Sequence, residues 1–247
     1  MDTTTVNDRP AVTFDYDVDD YATILLEDPQ GEVVNEARIE PDENRTALYM
    51  GEPQAGEYSL ILRRGGETIS TSTAEFEGAE AEITSIRGQW EQNELVSVRL
   101  SVQNSGELPL LLGDAEHSVG EQKVETRVGD YAVAGNESTD IDLGTKSYST
   151  ISIQEAGEIN GGVSLETSAG VATGTFTKTI EPAKFVLTDT DANWDGTSLR
   201  DVHATIRNEG DLTGEYPIKV EVNGEVISER SVRVQAGERA EVTPYDG

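Results

Sequence analysis

An all-β chain of tandem β-sandwich domains, the last of them incomplete, is predicted by three observations on the 247-residue sequence. Apolar residues recur every second position in short runs bounded by Gly, Pro, Asn and Asp, which is the pattern of half-buried strands. No stretch of a dozen residues carries a clean helical period. Third, Trp90 to Leu108 (WEQNELVSVRLSVQNSGEL) overlays Trp194 to Leu212 (WDGTSLRDVHATIRNEGDL) without a gap at an offset of 104. The overlay matches Trp90/Trp194, Leu95/Leu199, Val98/Val202, Asn104/Asn208, Gly106/Gly210 and Leu108/Leu212, far above the one identity expected by chance, so the chain contains an internal repeat.

Within each copy Val98, Leu100 and Val102, or Val202, Ala204 and Ile206, define a buried strand face, and Ser97, Arg99 and Ser101, or Asp201, His203 and Thr205, the wet one. Asn-x-Gly is expected to end the strand because both residues tolerate positive φ at a tight corner. Leu108 or Leu212 then re-enters the core. The pattern resembles the CARDB and NEW3 type of immunoglobulin-like repeat of archaeal and bacterial surface proteins. In the last copy the likeness continues through Tyr216, Ile218, Val220, Val222, the Asn223-Gly224 turn, Val226 to Val234, Ala236-Gly237-Glu238 and Val242. The resemblance implies immunoglobulin-like sandwiches and supplies no catalytic residue, since such modules are mostly non-catalytic.

In chain order, residues 1–9 read as a flexible polar tether. A first sandwich is expected over 10–78, with strands at Val12 to Val18, Tyr21 to Glu27, Glu32 to Ile39, Thr46 to Met50, Tyr58 to Arg63 and Glu67 to Phe76. Gly56-Glu57-Tyr58 resembles the late strand of immunoglobulin-like folds, where a Tyr hydrogen-bonds across a corner. After a hinge at Gly78 to Glu80, a second sandwich is expected over 81–181. Its strands lie near Ile83 to Ile86, Leu95 to Val102, Leu108 to Leu112, Gln122 to Val128, Ser138 to Leu143, Ser147 to Ile151, Gly162 to Glu166 and Thr173 to Ile180. The third, 184–247, has room for about five strands where its sister holds seven or eight, so it reads as truncated, or as completed by a strand from another chain.

Composition sets the surroundings. Asp plus Glu number 48 against 18 Lys plus Arg, a formal charge of −30. Self-repulsion at that charge is severe in dilute salt, whereas molar salt shortens the Debye length to about 3 Å. The expected source is a halophilic archaeon; the rival reading is an acidic protein that binds divalent ions. Nucleic acid and anionic membrane surfaces are disfavoured partners, because both need clustered Lys and Arg. The absence of Cys removes disulfides and thiolate chemistry. No stretch approaches the roughly 18 apolar residues of a spanning helix. The Thr-rich start after Met1 reads as a mature region whose secretion signal or lipid anchor has been removed.

Asp191-Ala-Asn193-Trp-Asp195-Gly196 matches the first half of a calcium loop, making Asp191, Asn193 and Asp195 candidate Ca²⁺ or Mg²⁺ ligands. The second half departs from the pattern, with Val202 at position twelve. Asp15, Asp17, Asp19 and Asp20 form another acidic cluster, read as solvated surface. Asn44-Arg45-Thr46 and Asn136-Glu137-Ser138 are N-glycosylation sequons in loops. Of the two histidines, His203 is placed on a wet strand face and His117 in a loop over Gly113 to Gly120. A Ser-His-Asp array would need one of them oriented by a carboxylate, and no G-x-S-x-G elbow is present, so an enzyme is not expected. Trp90 and Trp194 are expected to pack over one end of each sandwich.

The sequence therefore predicts a non-catalytic structural or adhesive cell-surface protein whose partner is a protein or glycan. The alternatives are an accessory module binding sugar or protein under Ca²⁺ control, and a virion or pilus-like subunit that self-assembles by β-strand addition.

Overall fold

The structure is a computed structural model and describes residues 1–41, 43–129, 131–144 and 150–246. The described residues form 21 β-strands in antiparallel sheets and no helix. The chain divides into two compact units. One comprises Met1–Gly88, Ser97–Lys146 and Gly161–Phe176, and the other Gln89–Val96, Ser147–Asn160 and Thr177–Gly247.

The first seven strands are β1 (Asp2–Val6), β2 (Arg9–Asp15), β3 (Ala22–Glu27), β4 (Val33–Ile39), β5 (Arg45–Tyr49), β6 (Gly56–Arg64) and β7 (Glu67–Phe76). They build two sheets, β1-β2-β5 and β4-β3-β6-β7. Between them lie Val12, Phe14, Ile24, Leu26, Ile39, Leu48, Met50, Tyr58, Leu60 and Phe76, joined by Leu108 from beyond the linker. The expected tether is corrected here. Asp2–Val6 pairs antiparallel with residues 9–13 across a two-residue turn, Val6 opposite Arg9, and Asn7 and Asp8 supply φ of 50° and 60°. Two left-handed central residues are the type I′ geometry that matches strand twist. Tyr58 is fully buried against Phe76, ring centroids 5.8 Å apart, and its Oη accepts the Gln54 N–H at 3.0 Å.

Next come β8 (Ala81–Glu91), β9 (Glu94–Asn104), β10 (Leu110–Val119), β11 (Gln122–Arg127), β12 (Ala132–Val133), β13 (Ser138–Gly144), β14 (Ile151–Ser152), β15 (Gly157–Thr167) and β16 (Gly170–Ile180). One sheet runs β11-β10-β15-β16 with β12 beside β10; the other runs β13-β9-β14 with β8 beside β9. Most of the expected Ser147 to Ile151 strand lies outside the described residues, and Ile151 belongs to β14. His117 is in strand β10, not a loop, and is completely buried. A register shift between Leu112 and Ala115 breaks the alternation, which is why a strand ending at Leu112 was expected.

The last strands are β17 (Phe185–Asp195), β18 (Ser198–Asn208), β19 (Gly214–Val222), β20 (Glu225–Val234) and β21 (Arg239–Asp246). They form the sheets β17-β18-β21 and β19-β20. Asn223 and Gly224, with φ of 54° and 85°, close the β19–β20 hairpin. Ala204, Ile206, Val220, Val234 and Ala236 are buried, but Leu187 is 48% and Trp194 53% exposed. Trp194 thus does not cap a sandwich as expected. Among the described residues the β19-β20 sheet has two strands where its sister sheet has five.

Candidate functional site

The most elaborate polar arrangement among the described residues is the Asn-x-Gly corner, and it occurs twice. Asn104 is fully buried. Its Nδ2 donates to the carbonyls of Leu108 (2.7 Å), Val133 (3.1 Å) and Ala134 (3.2 Å). Its Oδ1 accepts the N–H groups of Glu80 and Gly106, each at 3.1 Å. Asn208 repeats this with Leu212 (2.8 Å) and Val234 (3.2 Å) as acceptors, and Lys184 (3.0 Å) and Gly210 (3.1 Å) as donors.

The residue after each glycine completes the device. Glu107 Oε2 accepts the Glu77 N–H at 2.9 Å, and Asp211 Oδ2 accepts the Glu181 N–H at 3.0 Å. Backbone bonds Ser105 N–H to Glu80 O (3.0 Å) and Glu209 N–H to Lys184 O (2.7 Å) add to each set. A carboxylate accepting from backbone N–H makes a charge-assisted bond, roughly twice as strong as a neutral one.

This corrects the reason given for the motif. Neither the asparagines nor Gly106 and Gly210 have positive φ. The glycines are required by close approach: a Cβ on Gly106 would lie 2.1 Å from Gly78 O, and one on Gly210 would lie 2.0 Å from Pro182 O. The expected hinge at Gly78 to Glu80 is likewise corrected, since the segment is held to the following strands by Asn104, Ser105 and Glu107. The signal was present in sequence as the matched Asn and Gly, together with Glu107/Asp211, but the partners Glu77, Glu80, Val133 and Ala134, and likewise Glu181, Lys184 and Val234, are 24 or more residues away.

The candidate cation ligands lie elsewhere than in a loop. Asp191, Asn193 and Asp195 are on strand β17, where a spacing of two places them along an exposed face instead of round a turn. Asn193 Nδ2 donates to Asp201 Oδ1 at 2.6 Å, and Asp195 is ion-paired with Arg200. Among the described residues no group of three His, Asp or Glu side chains converges as a metal site needs, the Asp15, Asp17, Asp19 and Asp20 cluster included.

His203 is half-exposed, with Nε2 3.1 Å from Asp201 Oδ1 and Nδ1 3.2 Å from Thr243 Oγ1. This carboxylate–imidazole–hydroxyl row has the order of a catalytic array. Its imidazole is 55% exposed, so water competes at both nitrogens and the row acts as a surface hydrogen-bond chain. His117 faces the core, neither ring nitrogen has a protein hydrogen-bond partner, and burial holds its pKa below the ordinary histidine value. Burial also raises the Tyr58 phenol, against the Gln54 N–H and with the Asp28 charge. Asn44 and Asn136 are both exposed at loop positions. A groove of about 540 Å³ over β10, β11 and β15, lined by Asp114, Glu116, Glu125, Arg127, Ser164 and Glu166, was not anticipated from sequence.

No protein family's sequence profile matches the chain, and no curated protein is similar to it. Among solved structures, one on neurohormone perception by the receptor tyrosine kinase Torso is similar over 72% of this chain and 71% of that one, at 10% identity and a TM-score of 0.23. Trypsin-activated α2-macroglobulin from Escherichia coli is similar over 99% of this chain and 22% of that one, at 11% identity and a TM-score of 0.24. Salmonella α2-macroglobulin reacted with methylamine is similar over 96% of this chain and 21% of that one, at 12% identity and a TM-score of 0.24. The chain spans about a fifth of the macroglobulins' length. At such TM-scores these likenesses carry no argument about function.

Proposed function

We propose that this chain is a non-catalytic structural or adhesive protein of a halophilic archaeal cell surface, presenting a binding surface for protein or glycan on modules with fixed linkers. The observation that carries the reading is the duplicated corner. Each linker is bonded to the strands that follow it by the same asparagine, glycine and carboxylate, which suits a protein built from repeated structural modules. The charge of −30 supports high-salt surroundings, because screening removes the repulsion that dilute solution would impose. The exposed Asn44 and Asn136 sequons suit glycosylation at such a surface, and the resemblance of the repeat to surface-protein modules points the same way.

The test has two arms. Circular dichroism from low salt to about 3 M KCl reads salt-dependent folding, and retention of the labelled chain on haloarchaeal cell envelopes reads adhesion. A salt-gated β spectrum with saturable retention is expected. A fold indifferent to salt removes the halophile, and absence of retention removes the adhesive role.

A further inference from the structure

We propose that the third sandwich is an acceptor for an added β-hairpin of the kind that β15 and β16 form in the middle of the chain. This does not depend on the adhesive reading. The internal repeat identifies which surfaces the hairpin would cover, because the same surfaces are covered in the sister copy.

The first surface is a strand edge. β10 is flanked by β11 on one side and β15 on the other. Its counterpart β19 pairs with β20 and with no second strand among the described residues. The two hairpins superpose from their turns, where Val119 faces Gln122 and Val222 faces Glu225. Val222, Val220 and Ile218 therefore stand where Val119, His117 and Ala115 stand. Those three pair with Gly161, Val163 and Leu165 of β15. An unpaired edge with apolar alternate positions is a template for strand addition.

The second surface is one face of β17. At the repeat offset Leu187, Thr190, Ala192 and Trp194 correspond to Ile83, Ile86, Gly88 and Trp90. The earlier four are half-buried and the later four are exposed. Part of the cover is identified: β16 passes so close to β8 that a Cβ on Gly174 would lie 2.3 Å from Ile86 Cδ1 and 3.6 Å from Ile83 Cγ2. Between the two surfaces opens a groove of about 260 Å³ lined by Leu187, Val202, Tyr216, Ile218 and Pro244.

The occupant is thus defined by chemistry. Its first strand runs antiparallel to β19 with glycine or aliphatic residues at alternate positions. Its second strand brings a small residue over Leu187 and Thr190, as Gly174 is brought over Ile83 and Ile86. Gly157 to Ile180 meets this description and carries only Glu158, Glu166 and Lys178 as charges, so it approaches a chain of −30 without strong repulsion.

The experiment adds a synthetic Gly157 to Ile180 peptide to the full chain in molar KCl, and in a second arm joins the same segment after residue 246 by a flexible linker, which raises its effective concentration. Hydrogen exchange of the β19 amides is the main readout. Trp194 emission, isolated by Trp90→Phe, is the second. Slowing of alternate β19 amides by at least about tenfold, with a blue shift of Trp194 and loss of both in Ile218→Lys, is expected. No protection of β19 in either arm overturns the proposal. Concentration-dependent protection without the peptide assigns the edge to a second copy of the chain and overturns it equally.

Discussion

Replacing Asn104 by Ala tests whether the corner is energetically what its geometry suggests. The substitution deletes an amide that serves three carbonyls and two N–H groups at zero exposure. The buried Gly106 N–H loses its acceptor, a loss of about 1–3 kcal/mol, and the partly buried Glu80 N–H about 1 kcal/mol. The buried carbonyls of Leu108, Val133 and Ala134 lose a shared donor, so a destabilisation of about 3 kcal/mol is expected. Asn104→Asp sharpens the test. It keeps an acceptor for the two N–H groups but turns an oxygen toward three carbonyl oxygens, so at neutral pH it should be at least as damaging. Urea unfolding at fixed molar KCl, followed by Trp90 emission in a Trp194→Phe background, reads the midpoint of the affected strands. A loss below about 0.5 kcal/mol in Asn104→Ala, with Asn104→Asp equally tolerated, would refute the reasoning, because surface substitutions away from special features give changes of that size.

Three further outcomes follow from buried groups. His117 has a depressed native pKa, so its contribution is fully present above the unfolded value of about 6.5 and falls as pH drops, by up to about 1.4 kcal/mol per pH unit. His117→Leu should flatten the pH dependence of urea stability between pH 7 and 5, and parallel profiles for the two proteins would contradict this. Tyr58→Phe strands the Gln54 N–H and should lower stability by about 1–2 kcal/mol, read by urea unfolding monitored by circular dichroism; an unchanged midpoint would remove the corner's role. Gly161→Ala drives a Cβ to within 2.1 Å of Phe176 Cζ, and overpacking of about 1–3 kcal/mol is expected in thermal melts, with no effect if the ring simply rotates away.

Where a property depends on residues close in sequence, the chain was readable. Strand faces such as Val98, Leu100 and Val102 follow from a period of two, and Asn223-Gly224 from its turn chemistry. Properties that depend on distant residues were not. The Asn-x-Gly corner is legible as a motif but its cause is not, because Glu80, Val133 and Pro182 are not visible from Asn104 or Gly210. The half calcium motif lies on a strand because ligands at alternate positions of a loop share the spacing of one strand face. His117 was misplaced by a register shift just upstream, and the Asp2–Val6 strand by a turn of Asn7 and Asp8 without the glycine that usually announces type I′. The exposure of Trp194 turns on which strands pack against β17, which no local pattern reports.

The corner also decides where this protein can be cut and rejoined. Glu77 and Glu80, and again Glu181 and Lys184, spend their hydrogen bonds on residues downstream, so the linker belongs with the strands that follow it. A junction placed at Ala81 would strand Asn104 and Glu107 without the amides they were built to receive, whereas one placed before Glu77 would carry the whole set along. The repeat at the 104-residue spacing respects that rule, since Glu77 and Glu181 stand at the same place in the two copies.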